Sequence, residues 1–179
     1  MEHKGTKTIE TARLVLRPFR VEDAADMFRN WAADPEVTRH LTWQPHAGVE
    51  VSQAYLTQLD AGYADPRQYE WGLELKALGQ VVGALSVVRM DDKTDAMELG
   101  YCLGRSWWGL GLMPEAVRGI LPYLFREVGV NRVAARHAAE NPKSGRVMQK
   151  AGMTYEGTLR QSGRSNSGLE DMRVYSILA

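Results

Sequence analysis

A short turn with two glycines is the segment of this sequence best suited to chemistry. It reads Trp108-Gly109-Leu110-Gly111-Leu112 and lies between a strand-like stretch and a long helical pattern. Glycine has no β-carbon, so positions 109 and 111 can adopt positive φ values and let a ligand approach the main chain. Such a turn presents free amide N–H groups at the positive end of the helix dipole. The segment therefore predicts a site for a phosphate-bearing ligand.

Two widespread phosphate-binding motifs do not fit this turn. No glycine-lysine-serine run follows, which excludes a P-loop, and Pro114 stands where a dinucleotide-binding fingerprint would have its third glycine. Kinase and dehydrogenase functions are therefore disfavoured. Glycine pairs also occur in ordinary turns, so on these residues alone a plain turn and an anion site both stay open.

The sequence gives little support to nucleophilic or metal-dependent chemistry. Cys102 is the only cysteine and lies in an apolar run with no histidine nearby in sequence, so we expect a buried structural thiol. The four histidines, at positions 3, 40, 46 and 137, show neither metal-ligand spacing nor an accompanying CxxC pair. We expect no bound metal.

Hydrophobic periodicity predicts the elements that must position the turn. Alternating apolar residues predict seven strands, and apolar residues recurring every three or four positions predict four helices. The strands are expected at 12–19, 69–76, 81–89, 97–103, 132–137, 154–159 and 172–178, and the helices at 21–33, 49–63, 112–128 and 141–151. The order indicates one mixed α/β (α+β) domain over residues 1–179, with no composition break, repeat or linker.

Two local features qualify this prediction. Pro122 lies inside the helix expected at 112–128, where a missing backbone donor costs about 3 kcal/mol or kinks the axis. The polar stretch from Gly163 to Gly168 is expected to be a mobile loop.

Composition excludes several classes of partner. The chain has 179 residues, 44% of them hydrophobic, and its 22 basic residues equal its 22 acidic residues. A formal charge of zero provides no long-range attraction to nucleic acid or to a membrane. The polar N-terminus leads into no signal-like apolar region, and we expect a cytoplasmic protein.

The motifs, taken together in order, resemble the GNAT acetyltransferases, and within them the ribosomal-protein N-terminal acetyltransferase branch. The resemblance covers nearly the whole chain. The residues that carry it are Thr11 to Pro18, Glu22-Asp23-Ala24, Glu98-Leu99-Gly100-Tyr101, Trp108 to Gly111, Glu115-Ala116-Val117, Asn131-Arg132-Val133, Glu140-Asn141, Ser144, Arg146-Val147, Lys150 to Met153 and Glu156-Gly157.

This resemblance implies a mixed, mostly antiparallel twisted sheet of about seven strands flanked by helices, with acetyl-CoA as co-substrate. The strand before the glycine turn would splay from its neighbour and bond the pantetheine arm, the turn would grip the pyrophosphate, and basic residues would lie near the phosphates. Asn141 would bond the arm, a role compatible with capping the helix that starts at Pro142. The implied cofactor-binding residues are Tyr101, Cys102, Leu103, Trp108, Gly109, Leu110, Gly111, Leu112, Asn141, Ser144 and Arg146.

The implied reaction is direct attack of an amine on the thioester in a ternary complex. Glu98 is the candidate base, because it lies on the strand expected beside the thioester. Some relatives place a proton-donating tyrosine seven residues after the Asn141 position, but here that residue is Met148. Ser144 matches a serine of the ribosomal-protein branch and could donate to the leaving thiolate. Glu98 as an exposed carboxylate and Ser144 as a local backbone partner stay open as alternatives.

The acceptor is the least determined part of this prediction. A protein N-terminal α-amine is favoured, with a small amine such as an amino acid, polyamine or drug as the alternative. A CoA-binding module without turnover is a third hypothesis, because the helix tyrosine is missing. Oligomeric state, including a homodimer, stays open.

Overall fold

Eight strands form one sheet in the order β1-β2-β3-β4-β5-β6-β8-β7, and every neighbouring pair is antiparallel except β5 and β6. This is a computed structural model, and it describes all residues from Met1 to Ala179. The strands are β1 (Ile9–Glu10), β2 (Leu14–Arg17), β3 (Glu70–Leu75), β4 (Gln80–Asp91), β5 (Ala96–Leu103), β6 (Arg132–Ala138), β7 (Thr154–Ser165) and β8 (Gly168–Leu178). The expected mixed α/β class with a mostly antiparallel sheet is confirmed.

The chain has five α-helices. They are α1 (Ala24–Met27), α2 (Pro35–Thr38), α3 (Val49–Gly62), α4 (Leu112–Pro122) and α5 (Pro142–Lys150). Short 3-10 or π-helical segments extend the helical regions at Val21–Asp23, Phe28–Ala32, Arg105–Trp107 and Tyr123–Val128. None of the helices is long and apolar enough to span a bilayer.

Side chains alternate along each strand, so neighbouring residues point to opposite faces of the sheet. On the back face, Met97 and Leu99 of β5 join a large core with α4 and with Met148 of α5. On the front face, Cys102 of β5 contacts a smaller core built from α1, the π-helical segment after it and α3. Residues next to each other on β5 therefore face two different environments.

Pro122 ends α4 without ending the helical path. Its φ of −58° and ψ of −39° are ordinary helical values, and the chain continues as the π-helical segment Tyr123–Val128. Proline has no N–H, so one hydrogen bond of the regular ladder is missing here, and the next segment has π-helical hydrogen bonding. The predicted helix 112–128 is confirmed, and its hydrogen bonding changes at the proline.

The expectation of a mobile loop from Gly163 to Gly168 is wrong. β7 and β8 extend into this segment and pair up to Ser165 and Gly168, leaving a two-residue turn. The turn is held by Asn166, whose side-chain nitrogen donates to the carbonyl oxygens of Thr38 at 2.9 Å and Trp43 at 2.7 Å. These partners are more than 100 residues away in sequence, so composition alone could not show them.

Two short elements were missed at the sequence level. β1 has only two residues and pairs with β2, which makes the eighth strand. Asp34 and Pro35, expected only to stop a helix, also begin α2, because the Asp34 side chain accepts from the Glu36 amide at 2.9 Å and proline occupies the first helical position.

The packing of α5 on β6 predicts that a larger residue at Gly145 destabilises the fold. A β-carbon at Gly145 would lie 2.5 Å from Nε2 of the buried His137, whereas one at Gly62 would meet nothing closer than 3.6 Å. We expect Gly145→Ala to destabilise the protein by about 1–3 kcal/mol through overpacking. Gly62→Ala, the control, should be neutral or stabilise by up to about 1 kcal/mol. Urea unfolding midpoints measure both, and equal midpoints would contradict the packing described.

Candidate active site

The site begins where β5 and β6 separate. The two strands pair from Ala96 and Arg132 up to Leu99 and Ala135, and no further. Beyond this fork, residues 100–103 of β5 and 136–138 of β6 line opposite walls of a cleft of about 650 Å³. The β5 main chain bonds β4 on one side only here, so its other edge can bind an extended ligand.

The glycine turn forms one end of the cleft. Gly109 has φ of 79° and Gly111 has φ of 77°, values that favour glycine. Gly111 is the residue immediately before α4, and nothing lies within 4 Å of the position that a β-carbon of Gly109 would take. An anion can therefore approach the main chain and the positive end of the α4 dipole.

An arginine holds this turn from outside the cleft. The Arg13 guanidinium donates from Nη1 to the Leu110 carbonyl at 2.9 Å and from Nε to Oε2 of Glu115 at 2.7 Å. Oε1 of Glu115 accepts from the hydroxyl of Thr11 at 2.6 Å and from the Arg13 amide at 2.8 Å. Burial would raise the pKa of Glu115, but these hydrogen bonds outweigh it and hold the pKa below its ordinary value. The anchor fixes the turn before any ligand arrives.

Cations surround the same end of the cleft. Lys143 lies 4.5 Å from the centre of the Trp108 ring, and the Trp108 indole donates to the Leu103 carbonyl at 2.7 Å. Arg146 and Lys150 of α5 also line the cleft. Free amides and basic side chains together fit the diphosphate of CoA, and the cleft continues from them to the fork.

Tyr101 and Ser144 meet across the cleft. The Tyr101 hydroxyl lies 3.0 Å from Oγ of Ser144 and donates to the Ser144 carbonyl at 3.1 Å. Burial raises the pKa of Tyr101, so the phenol stays protonated. Asn141 precedes α5 in the capping position, yet its side chain makes no capping bond and lies on the cleft wall. Met148, in place of the helix tyrosine, is buried in the core.

The predicted base is already paired. Both oxygens of Glu98 accept from Arg136, at 2.5 Å from Nε and 2.7 Å from Nη2. This carboxylate raises the pKa of the Arg136 guanidinium. Arg136 lines the cleft beside the fork, and Glu98 is not among the cleft-lining residues. Sequence reasoning missed Arg136, although alternation along β6 places it on the same face as Glu98.

Most of the other predicted residues line the cleft. Leu103 and Leu112 do so, as does Cys102, while the side chain of Leu110 projects away and is 56% exposed. Burial raises the pKa of the Cys102 thiol to about 12. The structure also adds His137, a buried wall residue whose Nδ1 bonds the Ala138 carbonyl and whose pKa is lowered by burial. No group of three or more His, Cys, Asp or Glu side chains is arranged to hold a metal.

Comparison with known proteins identifies the family. Residues 13–154 match the model of the acetyltransferase (GNAT) domain. The chain belongs to the GNAT acetyltransferase family. This acetyltransferase is an acetyl-CoA-dependent N-acyltransferase, and the cleft that runs from the glycine turn to the fork has the shape and charge to hold that co-substrate.

Named relatives cover most of the acetyltransferase. It is 28% identical over 172 residues to the uncharacterized N-acetyltransferase p20 of Bacillus licheniformis, covering 96% of each chain. It is also 28% identical over 159 residues to the [ribosomal protein uS5]-alanine N-acetyltransferase of Escherichia coli, covering 83% of this chain and 79% of that protein. A solved ribosomal L7/L12 alpha-N-protein acetyltransferase in complex with CoA shares the fold, with a TM-score of 0.84 at 18% identity and coverage of 96% and 98%.

The Arg13 anchor predicts a loss of cofactor affinity on mutation. Arg13→Ala removes the bonds to Leu110 and Glu115 and leaves the turn less ordered. One charge-assisted hydrogen bond contributes about 1.5–3 kcal/mol, so we expect the Kd for CoA to rise about tenfold. Calorimetric titration measures it, with Arg126→Ala on the exposed helix surface as control. Equal affinities in the two variants would show that the anchor does not organise the site.

The raised pKa of Cys102 predicts that its thiol takes no part in the reaction. A thiol with a pKa of about 12 is almost wholly protonated at neutral pH and is a poor nucleophile. Cys102→Ala should keep most of the turnover, and the wild-type protein incubated with acetyl-CoA should show no stable acetyl adduct at this residue by mass spectrometry. An adduct that disappears when acceptor is added would instead indicate a covalent pathway.

Proposed function

We propose that this acetyltransferase transfers acetyl to the α-amino group of a protein N-terminus, by direct attack in a ternary complex. The observation that carries the proposal is the similarity, over 83% of the chain, to an enzyme named for acetylating a ribosomal protein at alanine. A second relative, 25% identical over 97 residues, is named ribosomal-protein-serine acetyltransferase. We therefore expect the first acceptors to be peptides that begin with alanine or serine.

The chemistry of the site supports an α-amine over a lysine side chain. An α-amine with a pKa of about 8 costs roughly 1.4 kcal/mol to deprotonate at neutral pH, whereas lysine, at about 10.4, costs roughly 4.6 kcal/mol. Both oxygens of Glu98 already accept hydrogen bonds from Arg136. Glu98 can therefore accept a proton only through a bridging water or after its pair with Arg136 loosens. Such a weakly available base is sufficient for the α-amine, because the α-amine is easier to deprotonate than lysine.

Each candidate residue has a proposed role that follows from its place. Main-chain groups of 101–103 bond the pantetheine arm from β5, and Asn141 bonds it from α5. The amides between Trp108 and Leu112 hold the diphosphate, with Arg146 as a nearby cation. Ser144, positioned by Tyr101, donates a hydrogen bond to the departing sulfur, and Glu98 accepts a proton from the attacking nitrogen.

The whole chain is proposed to act as one catalytic domain. The family model ends at residue 154, but β8 lies next to β6, and Met172 on β8 lines the cleft. The C-terminal hairpin therefore belongs to the same site. We place this enzyme in the cytoplasm, where acetyl-CoA and nascent N-termini would meet it, and a homodimer stays a prediction.

An acceptor panel tests the proposal. Release of free CoA thiol is measured with peptides beginning in alanine or serine, the same peptides blocked at the N-terminus but carrying an internal lysine, polyamines and free amino acids. We expect kcat/KM to be highest for the free peptide N-termini, with the product acetylated at the α-nitrogen by mass spectrometry. Faster turnover of a polyamine or amino acid would replace the proposal with small-amine acetylation, and binding of acetyl-CoA with no turnover of any amine would leave a binding module.

A further inference from the structure

A second carboxylate lies on the front face of the sheet, in register with the fork. Glu70 of β3 pairs with Ser86 of β4, and Ser86 pairs with Gly100 of β5. Paired residues on neighbouring strands point to the same face, so these three positions form a row across the sheet. Gly100 is the first β5 residue beyond the last pair with β6. Because strands are about 4.8 Å apart, the row spans roughly 10 Å, and its last position carries no side chain.

The carboxylate of Glu70 is only partly engaged. Oε1 accepts from the hydroxyl of Tyr55 at 2.5 Å, Oε2 has no hydrogen-bond partner, and the residue takes part in no ion pair. Burial raises the pKa of Glu70, and the hydrogen bond from Tyr55 partly opposes this. The titratable groups that face it are Tyr55 from α3, Tyr63 immediately after α3, and Cys102 from β5, none of which carries a charge at neutral pH.

The two carboxylates near the fork therefore differ in availability. Both oxygens of Glu98 accept hydrogen bonds from Arg136. Glu70 has one oxygen without a hydrogen-bond partner, and no cation pairs with its carboxylate. A half-buried carboxylate without a cation favours the approach of a positively charged group.

Apolar surface borders the same row. The methyl groups of Val88 lie over Gly100, since a β-carbon there would be 2.7 Å from Val88 Cγ1, yet Val88 is 55% exposed. On α3, Tyr55 is 38% exposed and Val51, one turn before it, is 41% exposed. An acceptor that carries an ammonium group next to a small apolar side chain would meet a matching surface here.

We propose that Glu70 and Tyr55 form the acceptor subsite of this enzyme, in which Glu70 binds the substrate α-ammonium and takes its proton before attack at the fork. The proposal rests on the proposed function and deepens it, because it assigns the recognition of the amine to a residue outside the CoA cleft.

The protons and bonds of this reaction balance. Glu70 accepts one proton from the ammonium and becomes a neutral acid, and the free amine forms its C–N bond to the acetyl carbonyl as the C–S bond breaks. The second proton, lost from the nitrogen, passes through Glu98 and Ser144 at the fork to the departing sulfur. Glu70 then returns its proton to solvent, which gives an amide, a free thiol and one proton.

The experiment compares charge-matched variants with an alanine-initiated peptide as acceptor. Glu70→Gln keeps the shape and removes the charge, and Glu127→Gln on the exposed surface behind the sheet is the control. At pH 7 we expect kcat/KM for the peptide to fall about 100-fold in Glu70→Gln only, the range of a positioned base, with an unchanged Kd for CoA. The deficit should shrink as pH rises above about 8, where the α-amine is already neutral.

A second variant keeps the proposal testable if Glu70→Gln folds poorly. Tyr55→Phe changes a partly exposed residue and removes the hydrogen bond that lowers the pKa of Glu70. The acid limb of the kcat/KM profile should therefore move to higher pH. Profiles of Glu70→Gln and Tyr55→Phe that superimpose on that of Glu127→Gln would overturn the subsite.

Failure of the subsite is distinguishable from failure of the proposed function. If the wild-type enzyme acetylates polyamines and no peptide, the proposed function is wrong, and the Glu70→Gln comparison is repeated with the polyamine. A deficit of similar size would then support Glu70 as the amine-binding residue, and its absence would remove Glu70 from the reaction.

Discussion

The separation of β5 from β6 is the constraint on which the rest of the structure depends. Two parallel strands that part after four residue pairs leave main-chain donors and acceptors without strand partners. Such groups are stable only if water or a ligand satisfies them, so the fork is both a cost to the fold and the reason for the cleft. The long antiparallel pairings on either side, of β4 with β5 and of β6 with β8, hold the two walls in place.

The glycine-turn end of the cleft combines two opposing local features. A turn with two left-handed glycines is flexible, and flexibility weakens binding because order must be restored when the ligand arrives. Arg13 offsets this by bonding the turn from the side away from the cleft. The proposed acceptor end is built differently, since the front face combines an ion pair at Glu98 and Arg136 with a carboxylate at Glu70 that has no ion-pair partner. Two carboxylates in unlike surroundings can share the two protons that an ammonium must lose.

Local patterns predicted much of this arrangement. Alternation and helical periodicity located seven strands and four helical regions, and the glycine turn indicated a candidate anion site, because these signals depend on neighbours in sequence. The contacts that decide chemistry are long-range. Nothing adjacent to Glu98 reveals that Arg136 occupies both its oxygens, and nothing near Glu70 shows that two strand pairings align it with Gly100. The docking of Asn166 onto the end of α2 and the segment after it escaped prediction for the same reason.

A crystal structure of the complex with CoA tests the central claim most directly. The account predicts the diphosphate bonded to main-chain amides between Trp108 and Leu112, with the pantetheine arm running between residues 100–103 of β5 and the start of α5 and the sulfur near Ser144. A nucleotide bound elsewhere, with the turn's amides paired to protein and the fork filled by side chains, would contradict it.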